Sequence, residues 1–176
     1  MLIELDIPFD QVTSPIVRRF HSIWTSKRGD RAMPAWTDMD PAEMRGILPN
    51  MFVVSIETAP FRIFYRLVGT KAVTFRHELT GRYLDEITEY SEDVRAELAK
   101  EYRLVCEQKR PTFSKDTLKT QFGNTLTVFG AIFPLSSDGT TVDRCIALED
   151  YDSNRPDDIA QSDTIYGYGT VQKRDK

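Results

Sequence analysis

Chemically reactive residues are scarce in this chain. Its 176 residues include two cysteines and two histidines. Cys106 and Cys145 cannot build a disulfide framework, and neither lies in a C-x-x-C pair. His21 and His77, with no carboxylates at ligand spacing, do not compose a zinc or non-haem iron site. Nine glycines are spread along the chain without the clustering of a phosphate-binding loop, and no serine sits in a nucleophile elbow. No apolar run approaches the roughly 18 residues of a membrane span, and the N-terminus MLIELDIPFD carries acids where a secretion signal would carry Lys or Arg. A reducing cytoplasmic setting without membrane insertion is expected. Twenty-three basic residues against 27 acidic ones give a net charge of −4, which offers no general attraction for nucleic acid.

What remains is ordinary for a globular protein: 40% hydrophobic and 28% charged residues, enough for one domain with a core. Ser14-Pro15 opens a helix, and Ile16, Phe20, Ile23 and Trp24 recur along one side of it as far as Gly29. These four are candidates for a dimer interface. Asp40-Pro41-Ala42-Glu43 has the marks of a short helix start. From Met51 the period changes to two. Residues 52–57 and 61–68, separated by Thr58-Ala59-Pro60, predict an antiparallel hairpin with Phe61, Ile63, Tyr65 and Leu67 on one face and Arg62, Phe64 and Arg66 on the other.

Thr70 to about Arg76 and Tyr83–Ile87 suit short helical turns. Ser91 caps a longer helix striped by Val94, Leu98, Tyr102 and Val105 and stopped at Lys109-Arg110-Pro111. Three extended runs follow, 112–120, 125–135 and 142–148, separated by Gly123-Asn124 and Ser137-Asp138-Gly139-Thr140. The run 125–135 is apolar at both parities, so both of its faces need cover. The expected architecture is α+β: a five-stranded antiparallel sheet, short helices on one face, and the N-terminal amphipathic helix on the other. Residues 1–50 form the helical cap, 51–151 the core, and 152–176 a polar tail.

This order of elements resembles the PAS fold. Arg31-Ala-Met-Pro34-Ala, Asp40-Pro41, Ile47-Leu48-Pro49, Tyr65-Arg66-Leu67-Val68-Gly69-Thr70 and Leu79-Thr80-Gly81-Arg82-Tyr83 are similar to a bacterial family of stand-alone PAS proteins, as is Pro134-Leu135-Ser136 with Asp138-Gly139. The resemblance covers about residues 14–151 and implies a sensory or regulatory module, usually a dimer, without assigned chemistry. No enzyme activity is expected and no catalytic residue carries over. An axial haem ligand would come from the long helix, which has no His; a photoactive flavin adduct would need a Cys within 80–87, which has none. Haem and a covalent flavin adduct are therefore disfavoured. A non-covalent flavin stays open, and the cofactor is unknown.

A sheet cupped by helices encloses a hollow. Its candidate lining is Tyr65, Leu67, Phe75, Tyr83, Leu98, Tyr102, Phe129 and Cys145, each equally explained as core. Arg62 and Arg66 suit either an anionic group or surface salt bridges. The expected function is sensing by binding a small ligand, a partner signalling protein, or both, with output through the N-terminal helix and a homodimer interface. The alternative is a cone-shaped α+β enzyme or ligand carrier, like nuclear transport factors. It needs a buried acid or His facing the cavity, for which Asp116 and His77 are the candidates.

Overall fold

The computed structural model describes residues 2–119 and 125–151; the Gly123-Asn124 turn and the 152–176 tail lie outside the described residues. In chain order the elements are β1 (Leu2–Leu5), α1 (Pro15–Arg28), β2 (Met51–Thr58), β3 (Phe61–Val68), α2 (Thr70–Phe75), α3 (Glu92–Gln108), β4 (Thr112–Lys119), β5 (Thr125–Leu135) and β6 (Arg144–Asp150). The strands form one sheet in the order β1-β4-β5-β6-β2-β3, with every neighbouring pair antiparallel. The five expected strands are all present. A sixth, β1, joins the edge of β4, pairing Leu2 with Thr117 and Leu5 with Ser114. The cone-shaped alternative places most helices before the sheet; here α2, a 3₁₀ turn at Leu84–Glu86 and α3 lie between β3 and β4.

Caps fix the helix ends. The Ser14 hydroxyl accepts from the Val17 N–H at 3.3 Å, and Gly29, at φ 57°, closes α1 in a conformation costly for any residue with a Cβ. Ser91 does the same for α3, accepting from the Val94 N–H at 3.3 Å. The helix expected after Asp40 does not form. Asp40 instead folds its carboxylate onto the Ala42 N–H at 2.8 Å, and the chain runs through successive turns to a 3₁₀ turn at Leu48–Asn50. With Gly46 and Pro49 so close, too few residues remain for a helix to propagate.

The sheet is covered on both faces. Phe20 packs edge-on against Phe133 at 4.8 Å, and the Trp24 indole N–H donates to the Pro134 carbonyl at 2.8 Å, so α1 lies on one face of β5 and β6. Phe20 and Trp24 are buried against the sheet of their own chain; they do not offer the free apolar face expected of dimer-interface residues. Ile16 and Ile23 are half-buried and pack on the same core. The opposite face carries α3, through buried Tyr102 and Val105, together with the segment from α2 to Tyr90. Both parities of β5 are buried accordingly, Val128 and Ile132 on the α3 side, Phe129 and Phe133 on the α1 side.

A β-bulge in the β2–β3 hairpin decides which side chains reach the cavity. Val54 pairs with Tyr65 but Val53 with Leu67, so Arg66 is the extra residue. Phe61, Ile63 and Tyr65 face α3 as expected. Beyond the bulge the parity reverses and Leu67 turns outward, 44% exposed.

Candidate functional site

A cavity of about 70 Å³, open toward Leu5 and Asp6, lies between the sheet and α3. At roughly 10–15 Å³ per water, that is room for several waters or a small molecule. Its floor comes from alternate residues of three central strands: Thr112 and Ser114 on β4, Ile132 on β5, and Ala147 and Glu149 on β6. Phe52 and Tyr65 close one side, while Leu98, Glu101 and Tyr102 of α3 form the roof. Arg76 and Tyr90, from the segment between β3 and α3, complete it.

The polar groups here are held in specific arrangements. Arg76, just past the end of α2 and buried, grips Glu149 with two parallel hydrogen bonds of 2.8 and 2.9 Å. The Tyr151 hydroxyl donates to the same carboxylate. A paired guanidinium and carboxylate tolerate burial that either alone would not. Glu101 has no such cation. Burial, reinforced by the charges of Glu149 and Glu97, pushes its carboxyl up to about 7. Asp116 lies on β4 one alternation beyond Ser114 on the same face, and it is 6% exposed. Neither of its carboxyl oxygens has a hydrogen-bond partner, and burial raises it to about 6. Desolvation also drives Tyr65 and Tyr102 well above the ordinary phenol range and Tyr90 up to about 12, so all three are neutral hydroxyls at physiological pH. Arg76 is the cation that lines the cavity among the described residues, and Glu149 already engages it.

Of the eight candidate lining residues, Tyr65, Leu98 and Tyr102 line this cavity. Cys145 faces the same side but lies deeper, fully buried, with Cys106 of α3 as a neighbour. Burial pushes the Cys145 thiol far up, whereas the Cys145 thiol beside Cys106 holds the latter below the usual thiol value. Four candidates sit elsewhere. Leu67 is turned out by the bulge. Phe75 stacks on Tyr151 at 4.2 Å beyond the end of the cavity. Tyr83 lies at the sheet edge, its hydroxyl donating to Glu57 at 2.7 Å under the Arg62 guanidinium. Phe129 points to the α1 side, by alternation with Phe133. Glu101, Arg76 and Glu149 were not among the candidates. The first was findable: Glu101 stands three residues after Leu98, on the α3 stripe itself.

The two histidines take no part. His21 stacks on Phe9 at 4.0 Å on the α1 side, where burial and Arg18 lower its affinity for a proton. His77 lies half-buried, 6.0 Å from Tyr90.

Among the described residues no helix is long and apolar enough to cross a membrane. Among solved structures, an RNA-binding light-oxygen-voltage receptor aligns with a TM-score of 0.40 and 13% identity, covering 68% of this chain and 36% of that receptor's chain. The chain thus spans about a third of the receptor's length. No curated protein matches the sequence. The PAS domain profile matches residues 12–148, a stretch that begins just before α1 and ends within β6, and the chain therefore belongs to the PAS domain family.

Proposed function

We propose that this PAS domain is a sensor whose cavity takes a small, hydrogen-bond-donating ligand, neutral or cationic. The observation that carries the reading is the imbalance of the cavity wall. It presents Glu101, with Asp116 behind it, against one cation among the described residues, which Glu149 already engages. The tyrosine hydroxyls, Thr112 and Ser114 add further acceptors. An anion entering here would meet uncompensated carboxylates in a low-dielectric site, where repulsion is strong. An amine or amide would instead supply the donors that Glu101 lacks.

Output is proposed to run through α1 to a partner protein or a second copy of the chain. β5 and β6 carry α1 on one face and form the cavity floor on the other, so a ligand that shifts these strands shifts the seat of α1. Ile16 and Ile23, half-buried on α1, are the positions at which a second copy would meet it.

The test is a thermal scan of purified protein at pH 7 with matched small amines, amides and carboxylates, alongside native mass spectrometry of the untreated protein. Amines or amides should raise Tm in the wild type and not in Leu98→Trp, which fills the cavity. A flat response to all three classes with no retained mass, or stabilisation by carboxylates alone, overturns the reading.

A further inference from the structure

The outer face of the sheet carries a second polar feature, remote from the cavity. Arg62, Arg66 and Arg144 all point there, and their fates differ. Arg62 is neutralised by Asp85, at 2.8 and 2.9 Å, and by Glu86 at 2.6 Å. Arg66 and Arg144 form no ion pair among the described residues. Ser55 on β2 lies between them: its backbone pairs with Arg144 on β6, and its hydroxyl accepts from Arg66 on β3. Arg144 lies over the Trp36 ring at 4.8 Å, and its Nε is buried without a hydrogen-bond partner. Burial and the nearby Arg66 charge both weaken its hold on its proton. Asp143 opposes these effects through its charge, yet it and Asp38 direct their oxygens to other donors. Asp143 accepts from the Ser137 backbone and hydroxyl, and Asp38 accepts from Arg31 and the Ala35 N–H.

Like charges are not normally held side by side without a counter-ion, because each raises the cost of the other. A planar oxyanion placed between the two guanidiniums would relieve the repulsion and accept from their terminal N–H groups. The surroundings narrow the occupant. Two of the three large hydrophobic side chains exposed among the described residues flank the pair, Trp36 against Arg144 and Leu67 next to Arg66. A polynucleotide needs a longer run of positive charge, yet the next arginine along β3 is already paired and the chain is net negative.

From these placements we infer that Arg66 and Arg144, with Ser55 between them, form a docking notch for an acidic peptide segment of a partner protein, one carboxylate side chain flanked by apolar residues. The carboxylate sits across the two guanidiniums, and its neighbours cover Trp36 and Leu67. The bulge that disqualifies Leu67 from the cavity is what brings it to this face.

The test uses the full chain and two peptide pools, each with randomised flanks, one fixed on a central Glu and the other on a central Gln. The Glu pool should be retained, enriched in apolar flanks, and should shift the Trp36 indole and the Arg66 and Arg144 Nε–H signals in NMR. Arg66→Gln, an exposed substitution, should weaken retained peptides at least about tenfold, the loss of a charge-assisted bond. Ser55→Ala and Trp36→Ala should weaken them less. Equal retention of both pools, enrichment of polar flanks, insensitivity to Arg66→Gln, or tighter binding of a single-stranded oligonucleotide that displaces the peptides would each overturn the inference. A shift produced by acetate and not by any peptide would overturn it too, reducing the notch to a small-anion site.

Discussion

Glu101 is where single side chains make the clearest commitment. Its carboxyl is raised from 4.5 to about 7 by burial, and Asp116 from 3.8 to about 6. An acid whose folded value exceeds its unfolded one binds its proton more tightly in the native state. Its full stability is present below the unfolded value and is lost as pH rises through the folded value. Stability should therefore fall between about pH 4.5 and 7, by on the order of 2 kcal/mol for Glu101. His21 works in the opposite sense, since its lowered proton affinity costs stability as pH falls below its unfolded 6.5. The difference between wild type and Glu101→Gln isolates the acid. Urea unfolding from pH 5 to 8 should give the variant a flatter profile and a higher relative stability at pH 8. A parallel pair of curves would show that Glu101 is ionised in the fold. Sequence reading missed this residue because acids on a helix are usually solvated, and a single stripe position does not show what packs above it. Asp116 was noticed, but that both of its oxygens lack partners is a property of its surroundings alone.

Among the elements, local grammar was legible and long-range register was not. The caps at Ser14 and Ser91, the stop at Gly29 and the alternation of β3 up to Tyr65 follow from spacing and backbone chemistry. Leu67 went wrong because the Arg66 bulge depends on how β3 meets β2, and nothing within FRIFYRLV announces it. Strand β1 was missed for the same reason: four residues have no detectable period until β4 offers an edge. One piece of the family resemblance, Tyr65-Arg66-Leu67-Val68-Gly69-Thr70, has a direct physical cause at its glycine. Gly69 precedes α2 where the chain passes against the 3₁₀ turn, and its N–H donates to the Met51 carbonyl at 2.7 Å. A Cβ there would run into the backbone carbonyls of Leu48 and Pro49. Gly69→Ala should therefore cost about 1–3 kcal/mol, although alanine favours helices, whereas alanine at exposed Thr70 should change stability by less than about 0.5 kcal/mol. Denaturant midpoints of the two variants decide it, and equal midpoints would mean that the turn moves freely away from α2.

The arrangement of layers bears on how signals leave the protein. Helix α1 is the third layer of one continuous core. Phe20 and Trp24 are buried among β5 and β6, and the Ser14 hydroxyl that caps the helix also donates to buried Asp150 at the far end of β6. Amphipathic spacing alone left open whether a helix of this kind is covered by its own sheet or by a partner. Here the sheet supplies the cover, which constrains any output through α1 to a change in how it is seated. Phe20→Ala should lower stability by about 3–5 kcal/mol, the cost of emptying a fully buried aromatic site. That loss should not depend on protein concentration, because the cavity opens within one chain. Were the apolar side of α1 a contact between two copies, the same substitution would lower the dimer association constant and make the unfolding midpoint vary with concentration. Unfolding at two concentrations a hundredfold apart, with light scattering on the same samples, separates these outcomes. A second copy meeting α1 at Ile16 and Ile23 would be lost in Ile23→Asp while the Phe20 effect stayed as it was, so the packing of the helix and its use as a contact are independent quantities.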